Sequence, residues 1–301
     1  MSRVAGDAAG PAEDASSRSS QGTAALAVGN GTAEPGTAGA AKISEAVGRG
    51  PIIAVGTAGK AADALILVAA GLLLWQALHT VVGTTALPAP LPTFSYLAKL
   101  VASPRFLENA SVTLRSFAIA LAIAYALGLA TGIWMGLRRL AGEVGEPILI
   151  ALYSMPKITL YPVVLLIFGL GMSGKIAFGV MHGMLPVAIL TMNAIRKVRP
   201  VFVKAAKTLS LSPRQTIFSV ILPASLPEVV SGLRMGFTLT LLGVLLGEMF
   251  AAKHGLGSML MNAMTLAQSE EMLAIALVVF AFAVFANGLL LSIERRLYRR
   301  T

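Results

Sequence analysis

The feature that most constrains this chain is its succession of long apolar runs. Six segments, at about 63–84, 114–136, 147–170, 174–195, 229–250 and 272–293, are long and apolar enough to cross a bilayer as helices, since about 20 residues at helical rise span the hydrocarbon core. Backbone amides at that depth have no water to bond with and must be satisfied within the segment, so the expected fold class is an all-α membrane bundle of six transmembrane helices. Composition agrees: 56% of residues are hydrophobic and 13% charged, against roughly a quarter charged in soluble domains.

The formal charge of +10 and pI near 10.2 raise the question of nucleic acid. The arrangement of charge answers it. No basic run is interleaved with aromatic residues, as backbone tracking and base stacking would require. Instead Arg138, Arg139, Arg196, Lys197, Arg199, Lys204, Lys207, Arg214, Arg295, Arg296, Arg299 and Arg300 fall on one side of the spans with Lys60, while Lys99, Arg105, Lys175 and Lys253 fall on the other. Positive charge is retained in cytoplasmic loops, so both termini and the 196–228 connection are expected in the cytoplasm. The chain has no cysteine, which excludes disulfides, thiolate metal sites and thiol nucleophiles. Residues 1–60, rich in Ala, Gly, Ser and Thr, form no sustained apolar face and are expected to be a disordered tail before a membrane-spanning domain at 61–301.

Within the spans, Ala120, Ala124, Gly128, Gly132 and Gly136 recur every four residues, giving span two a small face that invites close helix packing. Pro156 and Pro162 in span three and Pro186 in span four each remove a backbone donor, which reads equally as a hinge or a static kink. Arg115 and Arg234 are expected to snorkel to nearby helix ends. Lys157, after the Pro156 break, and Glu248 are the candidates to face a solute pathway, because intramembrane charge is costly and usually faces a cavity or partner. His182 lacks a second ligand at metal spacing and reads as a packed polar residue.

The connection between spans four and five is the most informative. Val203, Leu209, Ile217, Val220 and Ile221 are set among basic residues, implying short helices with an apolar and basic face. Lys204-Ala205-Ala206, Ser210, Val220, Leu222 and Pro223 keep the spacing of a cytoplasmic loop pattern: Glu-Ala-Ala, three residues, Gly, nine residues, Ile, one residue, Leu-Pro. In this the sequence resembles the inner-membrane permeases of bacterial binding-protein-dependent ABC importers, with Lys, Ser and Val in place of Glu, Gly and Ile. The likeness runs from about Asn109 to Arg296. It is strongest to the nitrate, sulfonate and taurine branch, through Ser154-Met155-Pro156-Lys157, Phe168-Gly169-Leu170-Gly171, Leu226-Pro227, Gly232-Leu233-Arg234, Glu248 and Gly255-Leu256-Gly257.

The resemblance implies a type I, MetI-like bundle with cytoplasmic coupling helices, in which two permease copies form the pathway for a small solute. Two cytoplasmic ATPases would grip the 196–228 loop, and a periplasmic or lipid-anchored solute-binding protein would deliver the solute at the bacterial inner membrane. Ala206 is expected at the ATPase contact. The chain lacks Gly-x-x-x-x-Gly-Lys-Ser/Thr, so ATP would be hydrolysed by the partner, with no cofactor bound here. An ion-coupled secondary transporter is the alternative, but paired mid-membrane acids and an inverted repeat are not found. No catalytic constellation suggests an enzyme.

Overall fold

A computed structural model describes residues 57–84 and 86–298. The tail read as disordered therefore lies, up to residue 56, outside the described residues. The chain divides into two units, Met1–Ala62 and Asp63–Thr301, and the second carries the architecture described below.

The described chain is helical throughout: α1 (Thr57–Val82), α2 (Pro90–Val101), α3 (Pro104–Leu137), α4 (Arg139–Ser154), a 3₁₀ turn (Lys157–Leu160), α5 (Tyr161–Phe168), α6 (Met172–Arg196), α7 (Pro200–Thr208), α8 (Pro213–Thr216), a π turn (Ile217–Ile221), α9 (Leu222–Ala251), α10 (Leu256–Thr265) and α11 (Ser269–Tyr298). Five of these segments are long and apolar enough to cross a membrane, and α4 with the Lys157–Phe168 segment passes the same test when the bent pair is taken as one span.

Helix α6 is the hub, packed along its length against α3 and α9. The small-residue row explains the α3 contact. A Cβ at Gly128 would lie 2.7 Å from Val187 Cβ, and one at Gly132 would lie 2.6 Å from the Ala188 carbonyl oxygen. Real Cβ atoms do not approach so closely, so the two backbones can meet only where side chains are absent. Ala120 and Ala124 continue the same buried seam. Leu65 and Leu67 on α1, Leu166 on α5 and Phe285 and Leu289 on α11 point outward. So much exposed apolar surface requires lipid or another subunit as its solvent.

Three expectations are refined. The third span begins earlier, at Arg139, and is not one rod: α4 and the Lys157–Phe168 segment meet at 87°. Pro156 accounts for the break, because a residue before proline is driven to extended backbone, and Met155 adopts φ −64° and ψ 136°. Pro186, by contrast, lies within an uninterrupted α6. The connections at 85–113 and 251–271 each hold a short helix, α2 and α10, too brief to register as spans.

Candidate coupling loop and membrane-depth polar sites

The loop between α6 and α9 folds into a closed local unit. Helix α7 ends at Thr208, the Ser210 N–H donates to the Lys207 carbonyl at 3.0 Å, and the Leu211 N–H donates to the Ala206 carbonyl at 3.0 Å. This pair of bonds is a Schellman terminus, which places the intervening residue in the left-handed region. Ser210 occupies it with φ 53°. The loop pattern's glycine is thereby explained: this position asks for a residue without a Cβ, and serine meets the demand at some cost. A new helix starts at once. The Ser212 hydroxyl accepts from the Gln215 N–H at 3.3 Å, while the Ser212 N–H donates to Gln215 Oε1 at 2.9 Å. The reciprocal capping box is completed by Pro213 at the first helical position, where a missing N–H costs nothing.

Val220 lies in the π turn, where the Leu222 N–H reaches back to the Ile217 carbonyl. That longer ring sits immediately before Pro223, which has no N–H to offer the preceding turn. Through the turn the loop passes into α9 without a break, and Pro213–Phe250 forms a single apolar segment.

Ala206 is only 2% exposed, covered by its own chain. Its neighbours Lys204 and Ala205 point outward, and Ala206 supports the loop from within. Outward too are Phe202, Leu209 and Phe218, alongside Lys207 and Arg214. At the loop's start Arg196 pairs with Glu146 of α4 at 2.7 Å.

Lys157 sits at the break in span three. Its Nζ donates to the Tyr153 carbonyl at 2.8 Å and lies 4.8 Å from the Tyr153 ring centroid. The ammonium thus satisfies a carbonyl left open in the last turn of α4, the negative end of that helix. His182 is closed off by its Nδ1 contact to the Phe178 carbonyl at 2.9 Å and by edge packing on the Phe178 ring.

Glu248 is 0% exposed. It is the hub of a polar cluster at the opposite end of the bundle from the loop. Lys175 Nζ donates to Glu248 Oε1 at 3.0 Å and to the His254 carbonyl at 3.3 Å. The Thr113 hydroxyl and the Gly257 N–H both donate to Glu248 Oε2, at 2.8 and 3.1 Å. Thr113 in turn accepts from the Leu256 N–H, and Asn109 Oδ1 accepts from the Gly255 N–H, both at 2.7 Å. Gly255 has φ +126°, and a Cβ there would lie 2.3 Å from the Glu248 carboxylate carbon. The cluster ties together α3, α6, α9 and α10, with the carboxylate also satisfying the first turn of α10, where amides are otherwise unpaired. Sequence reasoning missed Lys175 as the partner because it sits at the edge of its apolar run.

Comparison with known proteins places these features in a frame. A family described as "Binding-protein-dependent transport system inner membrane component" matches residues 124–300. The putative aliphatic sulfonates transport permease protein SsuC of Bacillus subtilis is 27% identical over 237 residues, covering 78% of this chain and 86% of that protein. The taurine transport system permease protein TauC of Escherichia coli is 28% identical, covering 70% and 78%. The nitrate import permease protein NrtB of Synechococcus elongatus is 23% identical, covering 64% and 72%. Among solved structures, an inward-facing MetNI methionine ABC transporter chain matches with a TM-score of 0.55 at 19% identity, covering 62% of this chain and 93% of that one. A chain of an amino acid ABC transporter gives 0.55 at 19%, covering 66% and 97%.

Proposed function

This chain belongs to the binding-protein-dependent transport system inner membrane components and is the permease subunit of an ATP-binding cassette importer, and from that premise we propose how it couples and what it carries. The family is one of transport permeases, and an ion-coupled secondary mechanism is not favoured.

The carrying observation is the folded loop. Its interior is held by Ala206 and the Ser210 and Ser212 turns, while its outer surface combines Phe202, Leu209 and Phe218 with Lys204, Lys207 and Arg214. A capped two-helix unit with a mixed apolar and basic face suits insertion into a cleft on a cytoplasmic ATPase, which would bind and hydrolyse the ATP. Because the loop runs straight into α9, a helix of 30 residues and thus about 45 Å, motion imposed at the loop is carried across the membrane as a rigid-body displacement. In this reading Ala205, Val220, Leu222 and Pro223 shape the coupling element, and both termini lie on the ATPase side, in the bacterial inner membrane.

The solute is a small molecule bearing an anionic oxygen group, such as nitrate, a sulfonate or the zwitterion taurine, the classes named for the relatives. Lys157, with ammonium protons to spare at the break in span three, is the pathway residue of this proposal; Glu248, enclosed by its own partners, is not. A solute-binding protein on the outer side would deliver the solute, and a second copy of the chain would complete the pathway. Substitution tests the docking face. Phe218→Glu and Leu209→Glu should abolish solute uptake while leaving insertion and thermal stability unchanged, and normal uptake in both variants would exclude the proposed face.

A further inference from the structure

Helix α9 carries Ser231, Arg234 and Thr238 at i, i+3 and i+7, and so on one face. Helix α11 brings Asn287 and Glu294 against them. Arg234 Nε lies 2.9 Å from Glu294 Oε2, and the Ser231 hydroxyl donates to Glu294 Oε1. Asn287 Nδ2 donates to Thr238 Oγ1 at 2.9 Å. Arg234 does not sit near a helix end, as its place in span five suggests from sequence. Its helix extends back through Leu222 to Pro213, leaving Arg234 about 18 Å of helix from Leu222 and about 26 Å from Ala251 at 1.5 Å per residue. Its partner Glu294 directly precedes the basic Arg295 and Arg296, so the pair stands toward the loop side of the bundle.

The two charged partners differ in exposure. The Glu294 side chain is 10% exposed and the Arg234 side chain 36%. A groove of about 500 Å³ opens beside them, lined by Ser231, Arg234, Thr238 and Asn287 with Leu190 and Leu239 among its apolar walls, and Glu294 is not part of its lining. The groove thus presents the guanidinium and the second amide proton of Asn287, with the neutralising acid set behind and the Ser231 and Thr238 hydroxyl protons engaged within the cluster. No hydrogen bond from either Nη of Arg234 is made among the described residues. An ion pair is seldom the most stable filling for a buried site, since apolar side chains of similar volume usually serve as well or better. A guanidinium with free Nη groups is, however, the group best shaped to hold an oxyanion through two parallel bonds.

We propose that the Ser231–Arg234–Thr238–Asn287 groove is a binding subsite for a small oxyanion, of the sulfonate or nitrate type, toward the loop side of the bundle. The inference rests on the permease reading above and adds a place where the solute is held. Glu294 fixes the guanidinium and competes with the anion for it, keeping binding weak enough for onward release.

The test uses the full-length protein in nanodiscs of neutral phosphatidylcholine, with trifluoromethanesulfonate as probe and its ¹⁹F line width as readout. Saturable binding is expected. It should weaken at least tenfold in Arg234→Gln, less in Arg234→Lys, and strengthen severalfold in Glu294→Gln, where the guanidinium is released. A merely structural ion pair would not give opposite effects on the two sides of the pair. Thr238→Val and Asn287→Leu keep the ion pair and the fold, and should each weaken binding about threefold. Absence of saturable binding to the wild type, or binding unchanged in Arg234→Gln, Thr238→Val and Asn287→Leu, overturns the proposal. So does displacement of the probe by added phosphatidylglycerol, which would assign the groove to a lipid phosphate. ATPase capture by the loop is measured separately, so failure of the subsite is distinguishable from failure of the permease assignment.

Discussion

The two ends of the α6–α9 pair are built on opposite principles. At one end Glu248 and Lys175 are shut away from solvent, and both carboxylate oxygens are bonded to the surrounding helices. At the other, the loop keeps its backbone closed by caps but turns phenylalanine, leucine and basic side chains outward. A buried charge with all its bonds made fixes helices relative to one another. A capped unit with an unpaired outer face is shaped to be gripped. The contrast teaches that α9 joins a rigid anchor to the proposed docking surface, and each end is expected to fail differently when altered.

The largest stability effect is expected at the anchor. Glu248→Ala leaves the Lys175 ammonium buried without its carboxylate and should cost about 3–5 kcal/mol, seen as a large drop in the melting temperature of the detergent-purified protein. The double substitution Lys175→Met with Glu248→Leu should recover much of that loss, since it removes both charges. If the double variant is as unstable as the single one, the pair's electrostatics are not what holds this end together. Next comes the α3–α6 seam, where Gly132→Leu forces a side chain into the Ala188 carbonyl; separation of the helices should cost about 1–3 kcal/mol by the same measurement.

At the loop the effects on stability are smaller. Ser210→Gly relieves the left-handed strain and should raise stability by up to about 1–2 kcal/mol, lowering the rate at which protease nicks the loop. Ala206→Glu, by contrast, should open the loop from within. Arg139→Ala should change nothing measurable, because its pair with Glu143 at 2.8 Å is solvent-exposed and such pairs add little.

Much of this was legible in the chain itself. Length and hydropathy mark the spans because the bilayer imposes a length on any helix that crosses it, and the small-residue row announces a close helix contact. The loop spacing is readable because Ser210 stands where the backbone must turn left-handed and Pro223 where a donor must be absent. The remainder depends on pairing in three dimensions. Lys175 and Glu248 stand 73 residues apart, and neither apolar periodicity nor charge count says that they meet. Likewise, Pro156 signals a break but not an 87° turn. Nor does the sequence say that Arg234 meets Glu294, or that its helix runs back unbroken through Pro227 and Pro223. Two cap signals were present but unused: Pro90, and Ser103 followed by Pro104, each mark a helix start.

The most direct test of the central claim is capture of an ATP-hydrolysing subunit. The tagged full-length protein is purified from its native membranes in mild detergent, alongside Phe218→Glu and Leu209→Glu, and the co-purifying ATPase is quantified for each. The account predicts stoichiometric ATPase with the wild type and little with either loop variant, all three eluting as folded protein. Equal capture by all three, or a folded wild-type protein that captures no ATPase, would contradict it.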